Sequence, residues 1–262
     1  MVSSLYNVVL KKRKENMVRF IFLILVSCWS LTAVADKLRV AVASNFLPAV
    51  KEINLIFEAE YGQRVSISSA STSKLTAQLL HGAPFDVLLG ANEEEPKQIV
   101  KAFGLNVDHY AVYTTGRLAL VYDSGLNVAS LWKNMAESGS RIAIANPRLA
   151  PYGKAAREVL QHKGLWSSVT RRLVKGENVG QAFQYVRSGQ TGFGFVALSQ
   201  VRALEQASFQ YIEIPRSWHS PVRQAMVRVS ESTVAKQYFD FLLSSRVQKM
   251  LTEDFGYAGV RF

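Results

Sequence analysis

Four short stretches of this chain combine small or hydroxyl-bearing residues with the start of a helical pattern. They are Ala43-Ser44-Asn45, Ser71-Thr72-Ser73, Ala150-Pro151-Tyr152-Gly153 and Glu177-Asn178-Val179-Gly180. At a helix start the first N–H groups lack partners within the helix, so a hydroxyl can cap them or join them in holding an anion. One such stretch alone reads as an ordinary N-cap, which needs one hydroxyl and no ligand. Recurrence at four places shifts that weighing. Each helix N-terminus carries roughly +0.5 elementary charge, so four that converge offer about +2, enough to balance a dianion without a buried Lys or Arg.

Other chemistries find less support. Ser71-Thr72-Ser73-Lys74 fits Ser-x-x-Lys, a serine-hydrolase motif in which a lysine helps activate the nucleophile. Its partner motifs, Ser-Asp-Asn and Lys-Thr-Gly, are absent from the chain, which leaves a serine hydrolase as a remote alternative. His81, His109, His162 and His219 are scattered without metal-ligand spacing and read as surface or structural residues. Gly189 to Gly194 precedes a strand rather than opening a helix, unlike a dinucleotide loop. Neither catalysis nor a cofactor is expected.

The elements that must position these stretches alternate. Leu38 to Ala43, Val65 to Ser69 and Phe85 to Gly90 read as strands, interleaved with helices at Phe46 to Tyr61, Lys74 to His81 and Glu93 to Phe103. Two extended runs meet at Thr115-Gly116, where a domain crossing is placed. A second alternating unit follows: strand 141–145, helix 153–163, helix 179–188, strand 193–196 and strand 210–214. A run at 225–229 brings the chain back, and helices at 233–243 and 246–255 close the first unit. This is an α/β chain in two units, each a mainly parallel sheet flanked by helices, with ligands expected at the C-terminal ends of strands. The boundaries are 36–116 for the first lobe, 117–228 for the second and 229–262 for the return to the first.

Residues 1–35 are read as a secretory signal peptide. Met17-Val18-Arg19 precedes the apolar run Phe20 to Val26, and Ala33-Val34-Ala35 offers a cleavage site before Asp36. Residues before Met17 are either an extended n-region or upstream of the start that is used. Cys28, the only cysteine, falls within this segment, so the mature chain has no thiol chemistry. Leu25-Val26-Ser27-Cys28 also resembles a lipoprotein cleavage box, and a lipid anchor on Cys28 is the minority alternative to a freely periplasmic protein. Removing 1–35 leaves 26 basic against 19 acidic side chains, a balance of +7. That gives a general attraction for anions, and without a basic run it gives little support for nucleic-acid binding.

The mature chain resembles the periplasmic molybdate-binding proteins of ABC transporters, a branch of the type II periplasmic binding proteins. The matching residues are Val42-Ala43-Ser44, Ser71-Thr72-Ser73-Lys74-Leu75 with Gln78, and Gly82-Ala83-Pro84-Phe85-Asp86-Val87. Further matches are Ile144-Ala145-Asn146-Pro147, Pro151-Tyr152-Gly153 with Ala156, Gly176-Glu177-Asn178-Val179, Gly194-Phe195-Val196-Ala197 and Phe255-Gly256-Tyr257. They run in order through nearly all of residues 37–262.

The resemblance implies a two-lobed fold that holds a tetrahedral oxyanion, molybdate or tungstate, in the cleft between lobes using hydroxyls and backbone N–H groups. Carried over, Ser44 and Thr72 each supply a hydroxyl and an N–H, with Ser71 and Ser73 as substitutes if the register is off by one. Tyr152 and Val179 supply N–H groups from the second lobe. Sulfate or another tetrahedral oxyanion is the alternative ligand. The implied partner is a membrane-embedded ABC permease, and the chain is expected to be a monomer. One departure stands out: some members carry an anion-binding tyrosine where this chain has Ala197. The Tyr152 hydroxyl is the expected replacement.

Overall fold

The computed structural model describes residues 37–123, 125–204 and 209–259. The expected signal peptide, with Cys28, lies outside the described residues. The first lobe opens with β1 (Leu38–Ala43), α1 (Leu47–Tyr61), β2 (Val65–Ala70), α2 (Thr72–Leu80), β3 (Val87–Leu89), α3 (Glu94–Phe103) and β4 (Tyr110–Gly116). The chain then enters a second sheet through β5 (Leu118–Asp123), α4 (Leu131–Glu137), β6 (Ile142–Ala145), α5 (Pro151–His162), α6 (Trp166–Val169) and β7 (Leu173–Gly176). It continues through α7 (Val179–Arg187), β8 (Phe193–Ala197), α8 (Leu198–Arg202) and β9 (Phe209–Glu213). Strand β10 (Val222–Arg228), α9 (Thr233–Leu243) and α10 (Ser245–Glu253) complete the described chain.

The two sheets have matching orders, β2-β1-β3-β10-β4 and β7-β6-β8-β5-β9. In each, only the fourth strand runs against the others: β10 is antiparallel to β3 and β4, and β5 to β8 and β9. Strand β10 therefore belongs to the first sheet. The boundary read at 228/229 is too late, because Val222 to Arg228 is hydrogen-bonded between β3 and β4. That segment is apolar enough to sit in either sheet, and only its pairing decides.

Period-two alternation gives each sheet two buried faces. Val40, Val42 and Leu89 pack against Val50, Ile53 and Phe57 of α1 and against the closing helices. Ala41 and Leu88, one residue out of step, meet Leu75 and Leu79 of α2 and Ile99 of α3. In the second lobe Leu120, Ile142, Ile144 and Phe195 face α4 and α5, while Val121, Ala143 and Val196 face α7.

Register then aligns the helix starts. Strands β1 and β2 end on the pair Ala43↔Ala70, so Ser44 and Ser71 leave the sheet side by side. Strands β6 and β7 end on Ala145↔Gly176, so the loops leading to Tyr152 and Val179 also leave together. All four stretches lie at the C-terminal ends of parallel strands.

Candidate functional site

The contacts between lobes show how the stretches meet. The Gly180 N–H, in the first turn of α7, donates to Ser44 Oγ at 3.2 Å. Thr72 Oγ1 accepts the Ala91 N–H at 3.0 Å. Ala91 and Ala43 of the first lobe share one buried cluster with Ala145, Ala150, Tyr152 and Val179 of the second. Ser44, Ser71, Thr72, Tyr152 and Val179 are all buried. Gly153 allows the close approach of α5, since a Cβ there would lie 2.3 Å from the Ala145 carbonyl oxygen.

The donors available differ in part from the sequence expectation. Ser44 N–H donates to the Ala70 carbonyl at 3.0 Å, extending the β1–β2 ladder by one step. Ser44 thus keeps its hydroxyl proton for a ligand but not its N–H. Thr72 begins α2, so its N–H has no acceptor within the helix, and its hydroxyl, already accepting from Ala91, can still donate. Ser71 is 3% exposed, and its Oγ has no partner among the described residues. A buried unpaired hydroxyl costs about 1–3 kcal/mol, and Ser71 makes no capping bond that would offset this. Ser73 is different: its hydroxyl donates to Glu95 Oε1 at 2.7 Å.

On the second lobe, Tyr152 and Val179 occupy the first turns of α5 and α7, where backbone N–H groups lack helical acceptors. Asn178 caps α7 through Gln181 N–H at 3.0 Å and leaves the Val179 N–H alone. Ala197 is fully buried at the end of β8, in the same cluster as Tyr152, and brings only a methyl group.

No charged side chain is buried beside these donors. Arg228 is the only buried Lys, Arg, Asp or Glu among the described residues, and it is bound instead to His109, Asp108 and Glu231. Charged groups gather in an adjoining groove of about 380 Å³, lined by Ser73, Glu93, Lys97, Lys154, Glu158 and Arg223 among others. There, burial alone would raise the Glu93 carboxyl, but hydrogen bonds from Lys97 and Tyr110 and the charge of Arg223 hold it below its ordinary value.

Residues 38–258 match the family model described as bacterial extracellular solute-binding protein. This chain belongs to that family. The molybdate-binding protein ModA of Rhodobacter capsulatus is 32% identical over 244 residues, 90% of this chain and 93% of the relative. The solved structure of the periplasmic molybdate-binding protein of Azotobacter vinelandii superposes with a TM-score of 0.77 at 29% identity, covering 86% of this chain and all of the other. The sulfate-binding protein SubI of Mycobacterium tuberculosis shares the fold, with a TM-score of 0.70 at 14% identity.

Around the Tyr152 hydroxyl of this solute-binding protein lies a buried set of polar residues whose connection the sequence alone did not show. Asn45, Tyr113, Ser199, Gln224 and Tyr257 join the Tyr152 hydroxyl in one hydrogen-bonded group. The available signal was Gln224, a polar residue beside an apolar strand run. Its partners come from distant parts of the chain, which no local pattern connects.

Proposed function

We propose that this protein captures molybdate, and also tungstate, outside the cytoplasm and delivers it to the permease of an ABC transporter. The carrying observation is the set of four helix starts at in-register strand ends, surrounded by buried hydroxyls and free of buried charge. Such a site suits a fully deprotonated dianion, because it offers hydroxyl and backbone N–H donors and holds no buried carboxylate to repel the ligand. Ser44 supplies its hydroxyl, Thr72 its hydroxyl and N–H, Ser71 its unpaired hydroxyl, and Tyr152 and Val179 their N–H groups. The relatives named as molybdate-binding proteins support the choice of anion. A hydrogenphosphate brings a proton that needs an acceptor, and this set holds no carboxylate to take it, only hydroxyl oxygens.

In an open form the anion meets the first lobe; closure adds the N–H groups of the second. The closed shape is what a permease recognises. The Tyr152 hydroxyl stands in for the tyrosine that Ala197 replaces. It accepts from Gln224 Nε2 at 3.1 Å and retains its own proton to donate. The protein acts as a monomeric binding protein rather than an enzyme, exported by residues 1–35. Mass spectrometry of the exported protein should find Asp36 at the N-terminus; a lipid on Cys28 would overturn that part.

Calorimetry with molybdate, tungstate, sulfate and phosphate tests the function. Micromolar or tighter binding, about −8 kcal/mol or beyond, is expected for the first two. Absence of any response to millimolar molybdate rules the proposal out, and tighter binding of sulfate makes this a sulfate receptor. Tyr152→Phe binding molybdate as tightly as wild type would remove the role given to its hydroxyl.

A further inference from the structure

We propose that Gln224 is a positioning residue that couples the two lobes, its side-chain amide linking the Ser44 loop to the start of α5 when they close on the anion. This rests on the anion-binding reading above and adds to it a residue outside the proposed anion contacts.

Gln224 lies on β10 and is 0% exposed. A buried primary amide is costly unless its donors and acceptor are matched. Here the matches are divided between the lobes. Oε1 accepts from Asn45 Nδ2 at 3.0 Å, and the Tyr113 hydroxyl lies 3.1 Å from it; both residues belong to the first lobe. Nε2 donates across to the Tyr152 hydroxyl of the second lobe at 3.1 Å. Turning this amide over alone would set Nε2 against the Asn45 NH₂ group, donor against donor, so the orientation of Gln224 is tied to that of Asn45.

Asn45 directly follows Ser44, and Tyr152 sits in the first turn of α5. One amide therefore ties together two loops that supply donors to the anion. Asn45 is held from other directions as well: its Nδ2 reaches the Tyr257 hydroxyl at 3.2 Å, and its carbonyl accepts from Ser199 Oγ of the second lobe at 2.9 Å. The link passes beside the crossing between sheets. A Cβ on Gly116, the last residue of β4, would lie 2.1 Å from the Tyr152 hydroxyl and 2.6 Å from Gln224 Nε2. Burial pushes the Tyr113, Tyr152 and Tyr257 hydroxyls above their ordinary range, so the group stays uncharged near neutral pH and adds nothing repulsive to a dianion.

The test compares wild type with Gln224→Met, Gln224→Glu, Tyr152→Phe and the Gln224→Met/Tyr152→Phe double variant. Molybdate affinity is measured by calorimetry, and ligand-induced compaction by small-angle scattering. Gln224→Met keeps the length of the side chain but not its hydrogen bonds; about tenfold weaker binding and reduced compaction are expected. In the double variant the two losses should not multiply, because both remove the same link. Gln224→Glu should bind weakly at neutral pH and recover as pH falls, since the buried carboxyl must take up a proton before it can substitute for the amide.

Wild-type binding with Gln224→Met within twofold of it overturns this inference, as do fully multiplying losses. If Gln224→Met does not fold, the pH profile of Gln224→Glu decides: an affinity unchanged over about pH 6 to 8 also overturns it. Failure of wild type itself to bind any of the tetrahedral oxyanions sinks the anion-binding reading instead.

Discussion

The two lobes share one strand order but equip it differently. At the ends of β1 and β2 the first lobe presents the hydroxyl side chains Ser44, Ser71 and Thr72. At the ends of β6 and β7 the second presents backbone N–H groups at Tyr152 and Val179. A hydroxyl rotates to suit a ligand, whereas a backbone N–H is aimed by its helix. In the proposed site the first lobe would therefore adapt to an arriving anion, and the N–H groups of the second would complete a geometry already set. The difference also dictates how each is broken: the first by removing side-chain atoms, the second, apart from the Tyr152 hydroxyl, by changing the main chain.

Removing the Ser44 and Thr72 hydroxyls together should have the largest effect. The double variant Ser44→Ala/Thr72→Ala is expected to weaken molybdate binding by about two orders of magnitude or more, since each hydrogen bond to a charged group is worth about 1.5–3 kcal/mol. Calorimetry showing a loss below tenfold would mean that the first lobe does not lead.

Val179→Pro probes the second lobe with similar economy. Position 179 opens α7, where proline is well tolerated, and Asn178 before it has an extended backbone with ψ of 172°. The substitution deletes one N–H and trims the side chain. About tenfold to hundredfold weaker binding is expected, with the helix retained by circular dichroism. Unchanged affinity would take this helix start out of the site.

Ser71→Ala sharpens the account of the first lobe. Loss of its unpaired hydroxyl should weaken binding by about threefold to tenfold while the ligand-free melting temperature stays the same or rises, because a buried unsatisfied group disappears. A lowered melting temperature with intact affinity would make Ser71 purely structural. The smallest effect belongs to Lys74, which pairs with Glu177 across the lobes at 3.1 Å with both side chains more than half exposed. Lys74→Ala should change affinity by less than about threefold, and high salt should erase even that.

Much of this was legible locally. The alternation of Leu38 to Ala43 and the helical spacing through Val50, Ile53 and Phe57 reappear as β1 and α1. The four helix starts could be read because small and hydroxyl residues before an apolar period have a local cause. The course of Val222 to Arg228 was half legible: the run at 225–229 reads as the return to the first unit, but only hydrogen bonds to β3 and β4 show that the strand from Val222 onward already belongs there. The same limit hid the separate fates of three adjacent hydroxyls. Ser71 is left unpaired, Thr72 accepts from Ala91, and Ser73 turns to Glu95, a residue that only the packing of α2 against α3 brings near.

Residue type and short-range spacing were enough to read the α/β alternation and, to within two residues, the places where helices begin, because both have local causes. Tertiary structure decided that Ala43↔Ala70 and Ala145↔Gly176 end in register, that the Ser44 N–H is used by its neighbouring strand, and that Gln224 lies between Asn45 and Tyr152. Those outcomes depend on which distant groups meet in a buried space, where each donor must find an acceptor, and local spacing holds no record of that.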